Sequence, residues 1–149
     1  IATLSRADFP TVPIVLLGGK EDMQEAEAIY NACKDKVQLY NAAGKYKLNQ
    51  SASLVQQAKA VIANDTGLMH IAAAYKRPIV SIWGNTVPKF GMYPYYGNYQ
   101  VKSYQLQVEH LSCRPCSKLG YSTCPKGHFK CMNDQNIDEI ATKVRKTFD

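Results

Sequence analysis

Three short apolar runs, each stopped by turn-forming residues, set the pattern of the chain. Pro13-Ile14-Val15-Leu16-Leu17 stops at Gly18-Gly19. Ala60-Val61-Ile62-Ala63 stops at Asn64-Asp65, and Pro78-Ile79-Val80-Ser81-Ile82-Trp83 stops at Gly84-Asn85. Runs that are apolar at consecutive positions suit parallel strands covered by helices on both faces. Val37-Gln38-Leu39-Tyr40 is a weaker fourth candidate. Helical spacing fills the intervals. Met23, Ala26, Ile29 or Tyr30, and Cys33 recur on one face behind the acids Glu21, Asp22 and Glu25, which complement the positive end of a helix dipole. A short helix is predicted from Ser51 to Ala58, with Leu54, Val55 and Ala58 on one side. The next carries Leu68, Ile71, Ala72 and Tyr75, with Asp65 or Thr66 as its N-cap. The last, over about 136–148, places Ile137, Ile140, Ala141, Val144 and Phe148 on one face. Asn136 is its cap, Glu139 follows three residues on, and Lys143, Arg145 and Lys146 sit in its last turns.

The order β-α-β-α-β-α-β, then an irregular stretch and a closing helix, predicts an α/β fold with a doubly wound parallel sheet. Such sheets bind ligands outside the carboxyl ends of their strands. Those ends are Gly18-Gly19, Asn64-Asp65-Thr66-Gly67 and Gly84-Asn85. From Asn85 to Tyr104 the chain is rich in Tyr, Gly and Pro, and reads as a long surface loop with one edge strand.

Length and composition narrow the classes. A chain of 149 residues fits a single domain able to bury about 70% of its unfolded surface. Hydrophobic residues at 46% and charged residues at 20% describe an ordinary globular domain and argue against disorder. The apolar runs are too short to cross a bilayer. Ile1 to Asp8 include an early acid and no apolar core, which excludes a secretory signal in the chain as given. The first residue is not Met, so a fragment or excised domain is expected. The net charge of +6 favours anionic partners such as nucleotides, phosphosugars or acidic lipid surfaces. The basic residues are spread along the chain, which reads as a solvated basic surface rather than a nucleic-acid footprint.

Three constellations could carry chemistry. Asn64-Asp65-Thr66-Gly67-Leu68-Met69-His70 joins a strand end to a helix start. Free N–H groups and the dipole suit a phosphate there, Gly67 permits close approach, Thr66 adds a hydroxyl, and His70 lies one turn on. The bland alternative is an ordinary cap with a packed histidine. Gly18-Gly19, followed by Lys20 and Glu21, is neither GxGxxG nor a P-loop, and reads alone as a tight βα turn. Cys113, Cys116, Cys124 and Cys131 fall in a loop over 112–133 with Pro115, Gly120, Pro125 and Gly127. One reading is a zinc site; the other is an ordered or partly oxidised loop without metal. The first pair has zinc spacing, whereas the wider second pair weighs against it. Cys33 reads as plain core. Tyr93, Tyr95, Tyr96 and Tyr99 could stack on a base or sugar, or pack on their own domain.

The run from Val61 to Ala74, reading Val-Ile-Ala-Asn-Asp-Thr-Gly-Leu-Met-His-Ile-Ala-Ala-Ala, resembles glycosyltransferase family 9. So do Pro78 and Trp83-Gly84-Asn85-Thr86 after it. This family comprises the lipopolysaccharide heptosyltransferases and their relatives. Cys113-x-Pro115-Cys116, Cys124-Pro125 and Cys131-Met132 look like the family's cysteine loop. The likeness runs from about Val12 to the C-terminus and is specific in the central and cysteine segments.

The resemblance implies a Rossmann-like domain, the C-terminal, nucleotide-sugar donor half of a GT-B-type glycosyltransferase. The donor diphosphate would lie on Asp65, Thr66, Gly67 and His70, with Gly18 and Gly19 at the first strand's turn. Tyr46 and Lys47 would help hold the base and ribose. The resemblance places the acceptor site and general base in an N-terminal domain that is absent here, so no catalytic base is assigned. The fragment is expected to bind donor without turnover. The intact enzyme would invert at the anomeric carbon without a metal or other cofactor, with ADP-heptose as the default donor. A lipid-linked saccharide would be its acceptor, in lipopolysaccharide or surface-polysaccharide assembly. The expected place is the cytoplasm, peripheral to the inner membrane. Two other classes remain open: a non-catalytic nucleotide-binding module, and a zinc-stabilised interaction domain.

Overall fold

A computed structural model of the chain describes residues 12–149. The reading of Ile1 to Asp8 as free of a signal core lies outside them. The described residues form two compact units, the first ending at Leu54 and the second spanning 55–149.

In the first unit, β1 (Ile14–Leu16), α1 (Met23–Cys33) and β2 (Leu39–Asn41) make a β-α-β crossover, with β1 and β2 parallel and Ile14 opposite Leu39. The helix lies where the apolar spacing places it. Its buried Cys33 packs with Val37 and Leu39 against Ile14, Leu16 and Tyr30, so Cys33 is core as expected. Strand side chains alternate between faces. The opposite face accordingly presents Val15 and Tyr40, 40% and 54% exposed. The apolar run over 13–17 does not therefore mean burial on both sides. α2 (Leu48–Gln57) starts earlier than the spacing suggests, because the carbonyl of Lys47 already accepts from the amides of Gln50 and Ser51.

In the second unit, β3 (Val61–Ala63), β4 (Ile79–Trp83) and β5 (Ser103–Gln107) form a parallel sheet in that order, with α3 (Gly67–Ala74) crossing from β3 to β4. β4 is central and the most deeply buried strand. The Trp83 indole N–H donates to Ser81 Oγ at 2.9 Å, and Ser81 Oγ donates to the Tyr104 carbonyl at 3.2 Å. A fully buried indole and a fully buried hydroxyl thus satisfy one another. The chain after β4 makes a 3₁₀ turn at Pro88–Phe90 and returns to the start of β5. A cysteine-rich loop follows, then α4 (Lys130–Asn133) and α5 (Ile137–Arg145). Asn136 caps α5, its Oδ1 accepting from the Glu139 amide at 3.0 Å, as the capping pattern predicts.

Candidate functional site

The carboxyl end of β3 passes into α3 through Asn64, Asp65 and Thr66. Thr66 occupies the N-cap in extended conformation, and its side chain makes no capping bond. Asp65 does not cap the helix either. Its carboxylate accepts from Thr86 Oγ1 at 3.2 Å, which ties the end of β3 to the segment after β4. The Met69 amide closes on the Thr66 carbonyl at 3.1 Å, which leaves the first amides of α3, those of Gly67 and Leu68, to solvent or a ligand. A side chain added at Gly67 would meet nothing within 4 Å, so this backbone is open to close approach. His70 is exposed on the first turn, three residues beyond Gly67. It is not the packed histidine of the bland reading. Asp65, Thr66, Gly67 and His70 therefore share one open helix start, with Asp65 in a bracing position.

Thr86, at the same edge, is buried and is itself held by Arg114. The guanidinium donates to the carbonyls of Gly84, Val108 (2.8 Å) and Thr86 (2.8 Å), to the Trp83 carbonyl at 3.4 Å and to Gln107 Oε1 at 3.2 Å. All five acceptors are neutral, so Arg114 fastens the carboxyl ends of β4 and β5 together while its charge stays unneutralised by these contacts. Beside it a cleft of about 400 Å³ is lined by Val87, Gln107, Glu109, His110, Ser112 and Arg114, among others.

The cysteine loop lies over this edge. The Cys116 amide donates to the Asn85 carbonyl at 3.0 Å, and Asn85 Nδ2 donates to the Tyr121 carbonyl at 2.7 Å. Gln135 Nε2 donates to the Trp83 and Cys131 carbonyls at 3.1 and 2.8 Å. A side chain at Gly84 would strike Met132 Sδ at 2.7 Å. All five cysteines are free thiols. Cys113 Sγ lies 3.8 Å from His128 Nε2. Backbone N–H groups, that of Phe129 foremost, lower the pKa of Cys124, whereas burial raises that of Cys131. Among the described residues no group of three or more His, Cys, Asp or Glu is gathered to hold a metal ion.

In the first unit, the turns after β1 and β2 are stitched together: the Ala42 amide donates to the Leu16 carbonyl, and the Gly44 amide to the Gly18 carbonyl, both at 3.0 Å. Gly44 has φ +69°, and a side chain there would meet Met23 at 2.6 Å, so the position requires glycine. Tyr46 and Lys47 are exposed just beyond, on the same edge as Gly18 and Gly19. The Gly19 amide is engaged, however, donating to Asp22 Oδ2 at 2.8 Å.

Thr86 and Arg114 are the residues that reading the sequence missed. Thr86 stood at the end of a familiar motif without a role, and Arg114 inside a Cys-x-x-Cys spacing; only the tertiary fold joins them to Asp65. The tyrosines 96 and 99 lie far from this edge. Tyr96 donates its hydroxyl to the Arg77 carbonyl at 3.0 Å, and Lys76 Nζ lies 3.3 Å from the centre of the Tyr99 ring. Both partners directly precede β4, at the opposite end of the sheet from the ligand edge.

A family model for glycosyltransferase family 9 (heptosyltransferase) matches residues 7–123. The chain is 38% identical over 79 residues to lipooligosaccharide heptosyltransferase 2 of Haemophilus influenzae, a match covering 52% of this chain and 23% of that protein. It is 30% identical over 135 residues to lipooligosaccharide heptosyltransferase 2 of Campylobacter jejuni, covering 89% of this chain and 40% of that one. The chain thus spans less than half the length of these relatives. Among solved structures, the glycosyl transferase family 9 protein from Veillonella parvula aligns with TM-score 0.70 and 19% identity, over 98% of this chain and 39% of its own. The E. coli ADP-heptose lps heptosyltransferase II aligns with TM-score 0.60 and 24% identity, over 96% and 40%. These two likenesses speak for the fold.

Proposed function

The chain belongs to glycosyltransferase family 9, and we propose that it is the nucleotide-sugar donor-binding part of an inverting, heptosyltransferase-like enzyme of surface-polysaccharide assembly. The observation that carries this reading is the open start of α3: Gly67 and Leu68 amides without a side-chain cap, an unobstructed Gly67, and an Asp65 carboxylate drawn aside by Thr86. A diphosphate would accept from those amides and from the Thr66 hydroxyl, with His70 as a further donor. These contacts strengthen as negative charge develops on the leaving diphosphate, while the bond from the anomeric carbon to phosphate oxygen breaks. They therefore favour the transition state over the bound donor. The acceptor hydroxyl adds from the opposite face, which inverts the anomeric centre. Charge is met by amides and His70, so the proposed transfer needs no metal.

ADP-heptose is the proposed donor, and a lipid-linked saccharide the proposed acceptor. Gly18, Gly19, Tyr46 and Lys47 are the proposed contacts to the remainder of the nucleotide. The acceptor site and the base that deprotonates the acceptor belong, in this reading, to the length of the relatives that this chain does not span. No helix among the described residues is long and apolar enough to cross a membrane. The proposed location is cytoplasmic and peripheral to the inner membrane.

Calorimetric titration with ADP, UDP, GDP and CDP tests the reading. ADP is expected to bind, and His70→Ala to weaken it about tenfold with the fold unchanged, one lost charge-assisted contact being of that size. Binding of none of the four, or affinity untouched by His70→Ala, would sink the proposal.

A further inference from the structure

The charge of this chain is not evenly distributed. Residues 55–149 hold 12 Lys and Arg against 6 Asp and Glu, whereas residues 1–54 hold six of each, so the whole net charge of +6 falls in the second unit. Within that unit it gathers at one end of the sheet. Lys59 precedes β3, Lys76 and Arg77 precede β4, and Lys102 precedes β5. The register confirms that these entries are neighbours: the Val61 amide donates to the Pro78 carbonyl, and the Ile79 amide to the Lys102 carbonyl. The direction of α5 adds to the group. Gln135, just before α5, bonds to Trp83 at the carboxyl end of β4. Lys143, near the helix end, lies 5.2 Å from the ring of Tyr104, which pairs with Val80 near the start of β4. The helix thus runs toward the amino edge and carries Lys143 and Lys146 there. The acids lie elsewhere: Asp65 and Glu109 follow β3 and β5 at the carboxyl edge, Asp134, Asp138 and Glu139 lie around the start of α5, and only the terminal Asp149 comes after α5.

Tyrosines interleave with these cations. Tyr75 and Tyr99 are 36% and 59% exposed beside Lys76. Lys76 itself has φ +57° at the end of α3, where its amide and that of Arg77 close the helix on the carbonyls of Ala73 and Ala72. Glycine is the unstrained residue at that position. A lysine there holds its ammonium against Tyr99.

We infer that this amino edge of the β3-β4-β5 sheet is the surface by which the protein rests on an anionic lipid bilayer. The inference deepens the peripheral placement proposed above and rests on it. Lysines beside amphipathic tyrosine rings match the interfacial layer, where ammonium groups meet lipid phosphates and rings lie among headgroups. A nucleic acid would instead use open ring faces for stacking, and one face of Tyr99 is already occupied by Lys76. Docking this edge leaves the ligand edge facing away from the bilayer. The five residues of β4 set the two edges about 16 Å apart, a separation that suits an acceptor whose sugars project from the lipid.

Co-sedimentation of the chain with vesicles provides the test. It should partition onto phosphatidylcholine vesicles containing phosphatidylglycerol and not onto pure phosphatidylcholine, with the binding falling as salt rises. Lys59→Glu/Lys102→Glu should lower partitioning at least tenfold, whereas Lys118→Glu/Lys126→Glu, the same charge change in the cysteine loop, should leave it within about twofold. No partitioning overturns the inference. So do equal losses in the two variants, and so does tighter binding to single-stranded RNA than to the acidic vesicles. ADP titration of Lys59→Glu/Lys102→Glu separates the two readings: unchanged nucleotide affinity with no vesicle binding in any form of the protein removes the docking face alone.

Discussion

The turns after β1 and β3 do the same topological job and are built oppositely. Each lets a parallel strand hand over to a helix, and each carries glycine. After β1 the Gly19 amide is consumed by Asp22, and a side chain at Gly18 would meet that same carboxylate at 2.6 Å. The turn is closed on itself and presents negative charge. After β3 the helix start has no side-chain cap, Gly67 faces open space, and the nearby carboxylate is held by Thr86. Glycine at a strand end is thus not a diphosphate signal on its own. What distinguishes a turn open to a diphosphate is where the neighbouring acid is sent.

Three substitutions bear on this contrast. The largest effect is expected from Arg114→Ala, which leaves the carbonyls of Gly84, Thr86 and Val108 without their donor and frees Thr86 from its brace. A loss of about 3 kcal/mol in urea unfolding is expected; a loss near zero would mean that the clamp does not hold the edge. Next, Gly67→Asp gives the β3 turn the acid that the β1 turn already has. ADP affinity should fall at least about tenfold, while unfolding stability holds or rises by about 0.3–1 kcal/mol, since an acid suits a helix N-terminus. Unchanged affinity would erase the distinction between the turns. The smallest effect is expected from Asp22→Ala. Opening the β1 turn should cost about 1 kcal/mol and leave ADP affinity undiminished. A marked loss of affinity would show that Asp22 serves the ligand rather than the turn.

Much of this was legible in the residues, because local rules decide it. The α1 stripe from Met23 to Cys33, the Asn136 cap and the strand ends follow from spacing and capping chemistry. So does the candidate anion site at Asp65 to His70, since a strand end followed by Thr-Gly and a helix needs no distant partner. Other features depend on pairs far apart in the chain. The Asp65–Thr86 bond spans 21 positions and the Arg114–Trp83 contact 31; no local pattern marks either. The tyrosines depend on such distant pairs too. Of the two readings open to them, packing on their own domain holds for Tyr96 and Tyr99, because the chain must return to the far edge to start a parallel β5 and takes both with it. An apolar run likewise cannot reveal that Val15 and Ile62 face outward, because burial of the second face depends on what else packs there.

The Arg114 clamp also has a consequence for the order of assembly. Its guanidinium finds its acceptors only when the ends of β4 and β5 already lie side by side, so the clamp follows strand pairing. The ligand edge is then completed after the core and opens before it. Amides of the cysteine loop should exchange with solvent through local openings that leave Ile79 and Val80 protected, and a bound nucleotide should close that gap by bracing the edge from outside.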